Sequence, residues 1–269
     1  MKTGINIDCL TLGNIREQVK LLKDNGFSAT FVASENERLE EVVRYTNEYE
    51  ITVDTLHGPF LDNGVCRIND MWKDGEKGEK MLARMIKGLE DCSRFGIPCL
   101  ITHLSSGNNA PIVNDIGFER IARLVQKADE YGVYVAFENL RKTANLACAL
   151  EYNEHGKFCL DVGHQYCYTS GKQFLPMFGD RLVALHIHDN MKTVGEDMHL
   201  LPFDGAIDYS ILMRQLKDCG FDGTLMIETA KAGKPQYESL SDEQFIKLAA
   251  ERANKLLDLY NDIKSKPSR

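Results

Sequence analysis

A single (β/α)8 barrel spanning residues 1–269, an α/β fold, is what this sequence predicts, on three observations. Short apolar runs alternate with amphipathic segments eight times, as a parallel sheet with helical crossovers requires. The length of 269 residues suits one such barrel, which needs about 250. Polar residues recur where the runs stop: His57, His103, Glu138, Asp161, His186, His188 and Glu228. Side chains collected at the carboxyl ends of barrel strands are where such a fold carries its chemistry.

The strand-like runs cover residues 4–8, 29–33, 52–57, 99–103, 133–138, 158–161, 183–188 and 224–228. Several follow a helix-stopping glycine, at Gly26, Gly96, Gly132 and Gly220, and Pro98 prevents one helix from continuing. Between the runs, Asn14 with Glu17 and Ser241 with Gln244 read as capping boxes. In the last helix Phe245, Ala249, Ala253, Leu256 and Tyr260 fall on one face. The first run is not followed by GxGxxG, which argues against a doubly wound nucleotide-binding sheet. The longest loop, residues 58–77, follows His57 and holds the only Trp, Trp72, so a lid is expected there, with Trp72 either meeting substrate or capping the barrel rim.

Composition narrows the partners. With 43% apolar and 27% charged residues the chain is an ordinary soluble globular protein, and its net charge of −8 repels nucleic acid and anionic membrane. A small molecule is the expected partner. Eight Cys without a CxxC pair read as reduced thiols, and neither a secretory signal nor a membrane span is evident, so a cytoplasmic location is expected. Any self-association is expected to give a homodimer.

His186 and His188, two apart on one strand, face the same way, inward. Burying them with Glu138, Asp161 and Glu228 is costly without a compensating cation. Mixed imidazole and carboxylate donors suit Zn²⁺, Mn²⁺, Co²⁺ or Fe²⁺ better than Mg²⁺. Two carboxylates flanking a held carbonyl compound can remove a C–H proton and return it, while a metal stabilises the enediolate.

These motifs together resemble the sugar phosphate isomerase/epimerase family of xylose isomerase-like barrels, which also contains endonuclease IV-type enzymes. They are Leu56-His57-Gly58-Pro59, Thr102-His103, Phe137-Glu138-Asn139, Asp161-Val162-Gly163-His164, His186-Ile187-His188-Asp189-Asn190, the stretch His199 to Asp208, and Ile227-Glu228-Thr229. The resemblance implies one divalent metal or more, with Zn²⁺ or Mn²⁺ foremost, held by Glu138, Asp161, His188 and Glu228. It implies Glu138 and Glu228 as the acid/base pair of a carbohydrate isomerase or epimerase, or of a lyase with the same chemistry. His164 then contacts substrate, and His186 stands beside the ligands rather than among them. The endonuclease-type pattern adds metal ligands at His57 and His103, and at His164, Asp197 and His199. In the alternative, His57, His103, His164 and His199 bind sugar hydroxyls directly. Lys192, with Arg141, Lys142, Lys231 and Lys234, follows strand ends and could meet one anionic group. One position departs from the pattern: ketohexose 3-epimerases of the family carry Arg where Val194 stands, which speaks against a free ketohexose. The other readings kept open are a metal-dependent phosphodiesterase acting on abasic DNA and a carbohydrate-binding barrel without turnover.

Overall fold

A computed structural model describes residues 1–10 and 13–265. Eight parallel strands are hydrogen-bonded in one sheet, in the order β10-β1-β2-β3-β6-β7-β8-β9. These are β1 (Lys2–Ile5), β2 (Ala29–Ala33), β3 (Thr52–His57), β6 (Cys99–Thr102), β7 (Tyr134–Glu138), β8 (Lys157–Asp161), β9 (Leu182–His186) and β10 (Thr224–Ile227). Two short antiparallel strands, β4 (Leu61–Asp62) and β5 (Val65–Cys66), make a hairpin in the loop after β3. Nine helices occur among the described residues: α1 (Ile15–Asp24), α2 (Leu39–Glu48), α3 (Glu76–Phe95), α4 (Asp115–Tyr131), α5 (Thr143–Tyr152), α6 (Val162–Thr169), α7 (Leu175–Phe178), α8 (Tyr209–Asp218) and α9 (Asp242–Lys264). Sequential parallel strands with helical crossovers define the (β/α)8 barrel.

Contacts gather the chain into two compact units. The first comprises Met1–Phe31, Glu40–Val53 and Leu160–Arg269. In it β1 pairs with β10 from Lys2↔Thr224 to Ile5↔Ile227, and with β2 at Gly4↔Ala29. The last strands join through Ile187 N–H to Met226 O (2.8 Å) and Glu228 N–H to Ile187 O (3.0 Å). Ala29, Phe31 and Met226 pack together in this core. Gly4 is needed there, since a Cβ would come within 2.8 Å of Met226 Sδ and 2.9 Å of Ala29 O.

The second unit comprises Val32–Leu39 and Asp54–Cys159. Its ladder runs from β3 to β6 (Leu56↔Leu100, His57↔Ile101), then to β7 (Cys99↔Tyr134 to Thr102↔Phe137) and β8 (Glu138↔Cys159). Helices α3 and α4 pack on one another, and each ends on a glycine in the left-handed conformation, Gly96 and Gly132. A residue with a side chain pays a steric cost there.

Helix starts follow local chemistry. Asn14 Oδ1 accepts from the N–H groups of Arg16 and Glu17. Ser241 and Gln244 form the reciprocal capping box at α9, and the predicted face of α9 is buried from Phe245 to Tyr260. Most strand ends fall within one residue of expectation, but β1 and β9 stop three and two residues early. β1 stops at Ile5; Asn6 makes a last bond across to β10, its N–H to Ile227 O at 3.1 Å, and then opens a 3-10 turn over Ile7–Cys9 with its Oδ1 taking the N–H of Thr229. β9 stops at His186, and beyond it Asp189 forms an antiparallel bridge with Leu200 that draws the chain away from the barrel. Among the described residues no helix is long and apolar enough to cross a membrane.

Candidate metal centre

In the first unit, polar side chains converge after β8 and β9. Asp161 ends β8 and caps α6, its Oδ1 accepting the His164 N–H at 2.6 Å. The first turn of α6 therefore holds His164 over the strand end, where its Nε2 lies 3.1 Å from Asp197 Oδ2. Asp197 comes from the loop after β9. Its Oδ2 also lies 3.3 Å from His199 Nε2 and accepts from Tyr168 Oη at 3.1 Å. Burial would raise the Asp197 carboxyl, but hydrogen bonds and charge from His164 and His199 outweigh it and hold the group well below the usual range. Burial would lower His199, yet its bond to Asp197 and the charges of Glu228 and Asp161 push it up to about 9.

His188 completes this group. It is 0% exposed, stacks on His199 at 4.0 Å between ring centroids, and places Nε2 3.1 Å from Asp161 Oδ1 and 3.6 Å from Asp197 Oδ1. Neither ring nitrogen of His188 makes a hydrogen bond to a described residue, and nor does Asp197 Oδ1. A buried imidazole without hydrogen bonds is costly. A cation resolves the cost: tetrahedral ligands at zinc distances of about 2.0–2.2 Å sit roughly 3.3–3.6 Å apart, near the 3.1–3.6 Å separations here. One ligand atom from each of His164, His188, Asp197 and His199 lies within 4.8 Å of the others, and this donor set could hold a metal ion. Gly163 keeps the space clear, since a Cβ there would stand 1.8 Å from His188 Cε1.

His186 and Glu228 form a neighbouring pair. His186 Nδ1 lies 3.3 Å from Glu228 Oε2, and its ring stacks on Phe31 at 4.5 Å. Lys192 lies with Nζ 5.0 Å from the ring centre of Tyr166, and Val194 is 75% exposed. Lys231 is committed to Asp242 at 2.7 Å.

The second unit carries its own group. His57 Nε2 lies 3.4 Å and His103 Nε2 3.1 Å from Glu138 Oε2, with the two rings edge-on at 4.9 Å. These residues end β3, β7 and the run after β6, so the ladder register brings them together. The ring of Phe60 packs on both imidazoles.

Trp72 packs within the second unit. It is 2% exposed, donates its indole N–H to Leu104 O at 2.6 Å, and packs on Phe118 and on α4, where a Cβ at Gly117 would stand 2.0 Å from the ring. Burial of the ring and its bond to Leu104 O anchor the loop through Trp72, as the rim-capping reading expects.

Three residues without an expected role shape the first unit's group: Tyr168, and Asp189 and Asn190 of the β9 motif. Tyr168 stacks on His164 as well as bonding Asp197, and its position four residues on in α6 was the available signal. Asn190 donates to Gly163 O at 3.0 Å, tying the loop after β9 to the start of α6.

The chain belongs to the xylose isomerase-like TIM barrel family, whose model matches residues 18–256. It is 34% identical over 117 residues to the uncharacterized protein y4fM of Sinorhizobium fredii, an alignment covering 43% of this chain and 37% of that relative's length. The fold is shared with the IOLI protein crystallised with a binding zinc atom: TM-score 0.76, 18% identity, 99% of this chain and 100% of that one. It is shared too with 3-keto-D-glucoside 4-epimerase, YcjR, from E. coli: TM-score 0.71, 18% identity, 96% and 100% covered.

Proposed function

We propose that this protein is a divalent-metal-dependent sugar isomerase or epimerase, acting by proton transfer through an enediolate. The observation that carries the reading is His188, buried, with neither ring nitrogen hydrogen-bonded to a described residue, among donors spaced as ligands of one ion. By the family resemblance Glu138, Asp161, His188 and Glu228 are the proposed core ligands, each at or just beyond the carboxyl end of a barrel strand, and His164, Asp197 and His199 are further donors around His188. Zn²⁺ or Mn²⁺ fits these donors, and the zinc of IOLI supports the former. When bound, the ion polarises the substrate carbonyl and lowers the cost of negative charge on oxygen.

The chain's own groups do the rest. Glu228 and Glu138 act as the acid/base pair, one taking the C–H proton and the other returning it. Each has a histidine beside it: His186 at 3.3 Å from Glu228, and His57 and His103 at 3.4 and 3.1 Å from Glu138. His164, His57 and His103 offer ring nitrogens to sugar hydroxyls. The fold shared with a keto-glucoside epimerase supports a keto-sugar or sugar phosphate substrate, and exposed Val194 disfavours a free ketohexose.

The test is a panel of ketoses, sugar phosphates and keto-glycosides in D₂O with the metal-loaded protein. Carbon-bound deuterium should appear in a turned-over sugar, and Glu228→Gln should cut turnover about 10²–10⁴-fold or more with the fold intact. Full activity in that variant would exclude the pair.

A second reading has its own observation. His57 and His103 at Glu138, with His164 and His199 at Asp197, supply the additional donors of a multi-metal phosphodiesterase. The net charge of −8 works against an extended phosphate backbone. Incision of an abasic-site duplex by the zinc-loaded protein would replace the first reading.

A further inference from the structure

We infer that Asp189 is a positioning residue whose buried carboxylate clamps the loop 190–207 and thereby sets Asp197 and His199 in ligating geometry. The inference rests on the metal reading of the His164, His188, Asp197 and His199 group. Asp189 follows His188 directly, is 0% exposed, and spends its carboxylate on main-chain amides. Its Oδ1 accepts from the N–H of Asn190 (2.8 Å) and Ile207 (3.1 Å), and its Oδ2 from the N–H of Phe203 (2.9 Å). Its own N–H and C=O pair with Leu200 at 2.8 and 3.0 Å. One residue therefore grips the start, the middle and the end of a loop that departs from the barrel and returns.

The loop needs such a grip. Lys192, His199 and Phe203 have φ of +60°, +46° and +72°, half of the six non-glycine residues with positive φ among those described. Strained conformations persist only where their surroundings over-determine them. His199 is itself one of the strained residues, and its carbonyl is fixed by Thr229 Oγ1 at 2.8 Å. Gly205 lets the chain close on the clamp, because a Cβ there would stand 2.4 Å from Asp189 Oδ1. Three amides would be buried without acceptors if the carboxylate were lost, and the loop would relax toward ordinary backbone angles. Asp197 and His199 would move with it.

The experiment compares wild type, Asp189→Asn and His199→Ala by Co²⁺ titration, the visible Co²⁺ spectrum and hydrogen–deuterium exchange. Asn keeps the size of Asp but loses the charge and presents an amide nitrogen to one of the N–H donors. Its Co²⁺ affinity should fall about 10–100-fold, as for residues that orient metal ligands. The Co²⁺ spectrum should change, and exchange should accelerate over 190–207 while α4 stays protected. If Asp189→Asn does not fold, Gly205→Ala, which presses on the same carboxylate from the loop side, takes its place. Weaker binding in His199→Ala with unchanged affinity and spectrum in the clamp variant would overturn the positioning role and leave the metal reading standing. Unchanged binding in His199→Ala would overturn the metal reading, and with it this role. A lower melting temperature with wild-type affinity and spectrum would mark Asp189 as structural only and overturn the inference.

Discussion

At the scale of single residues, the candidate centre depends on what is missing as much as on what is present. Gly163 has no side chain because His188 occupies the space, and Gly205 has none because the Asp189 carboxylate does. Replacing Gly163 with Ala should destabilise the fold by about 1–3 kcal/mol, the cost of overpacking a close-packed site, and should weaken metal binding as His188 is pushed aside. Urea unfolding with and without Zn²⁺ measures both, and a wild-type stability would show that the ring moves freely. Glu138, Asp161, His188 and Glu228 are legible as candidates because each stands at or just beyond a strand end, whereas His164 on α6 and Asp197 and His199 in the loop after β9 are reached only through the family resemblance. Tyr168, Asp189 and Asn190 are legible in neither way. Their roles come from partners 29, 18 and 27 residues away in the chain, at Asp197, Ile207 and Gly163. No local pattern encodes those distances.

At the scale of elements, apolar runs and helix caps located every barrel strand, and β2 and β3 were read to the residue. The errors sit where a polar side chain captures the backbone, as Asn6 does after β1 and Asp189 after β9. The length of the loop after β3 points to a lid, and its hairpin and the 3-10 turn at Ile68–Trp72 are held by bonds from within their own unit. Arg120 on α4 donates to the carbonyls of Met71 and Lys73, and Asn114 donates to that of Trp72. Trp72 is therefore part of the α3–α4 packing. Trp72→Ala should cost about 3–5 kcal/mol in urea, the range for deleting a buried aromatic. Co²⁺ affinity should hold at a temperature where the variant is folded. A variant with native stability and impaired sugar turnover would place Trp72 against substrate instead. By the same logic Ser241→Ala, which removes the cap of α9, should cost about 1 kcal/mol.

At the scale of the whole molecule, the energetics of the fold and of the metal are linked. Asp161, Asp197 and Glu228 lie in one unit with four histidines, His164, His186, His188 and His199, and Asp161 is 0% exposed. Carboxylates collected in a buried group repel one another until protons or a cation compensate them, so the protein without metal carries a penalty that binding removes. A ligand that binds only the native state stabilises it by RT ln(1 + [L]/Kd), about 2.7 kcal/mol at a hundredfold excess over Kd. For a chain of this size that is a rise in melting temperature of roughly 5–10 °C. Zn²⁺ titrated into metal-stripped wild type should raise the melting temperature progressively by that amount. In Asp161→Ala the rise should largely vanish and the purified protein should retain less metal, because the variant loses both a proposed ligand and the cap that orients His164. Exposed acidic residues elsewhere would bind Zn²⁺ weakly and without this dependence, which separates a built centre from the general attraction of a chain with net charge −8. An undiminished rise in Asp161→Ala, with unchanged metal content, would move the cation away from the ends of β8 and β9 and remove the basis for the proposed chemistry.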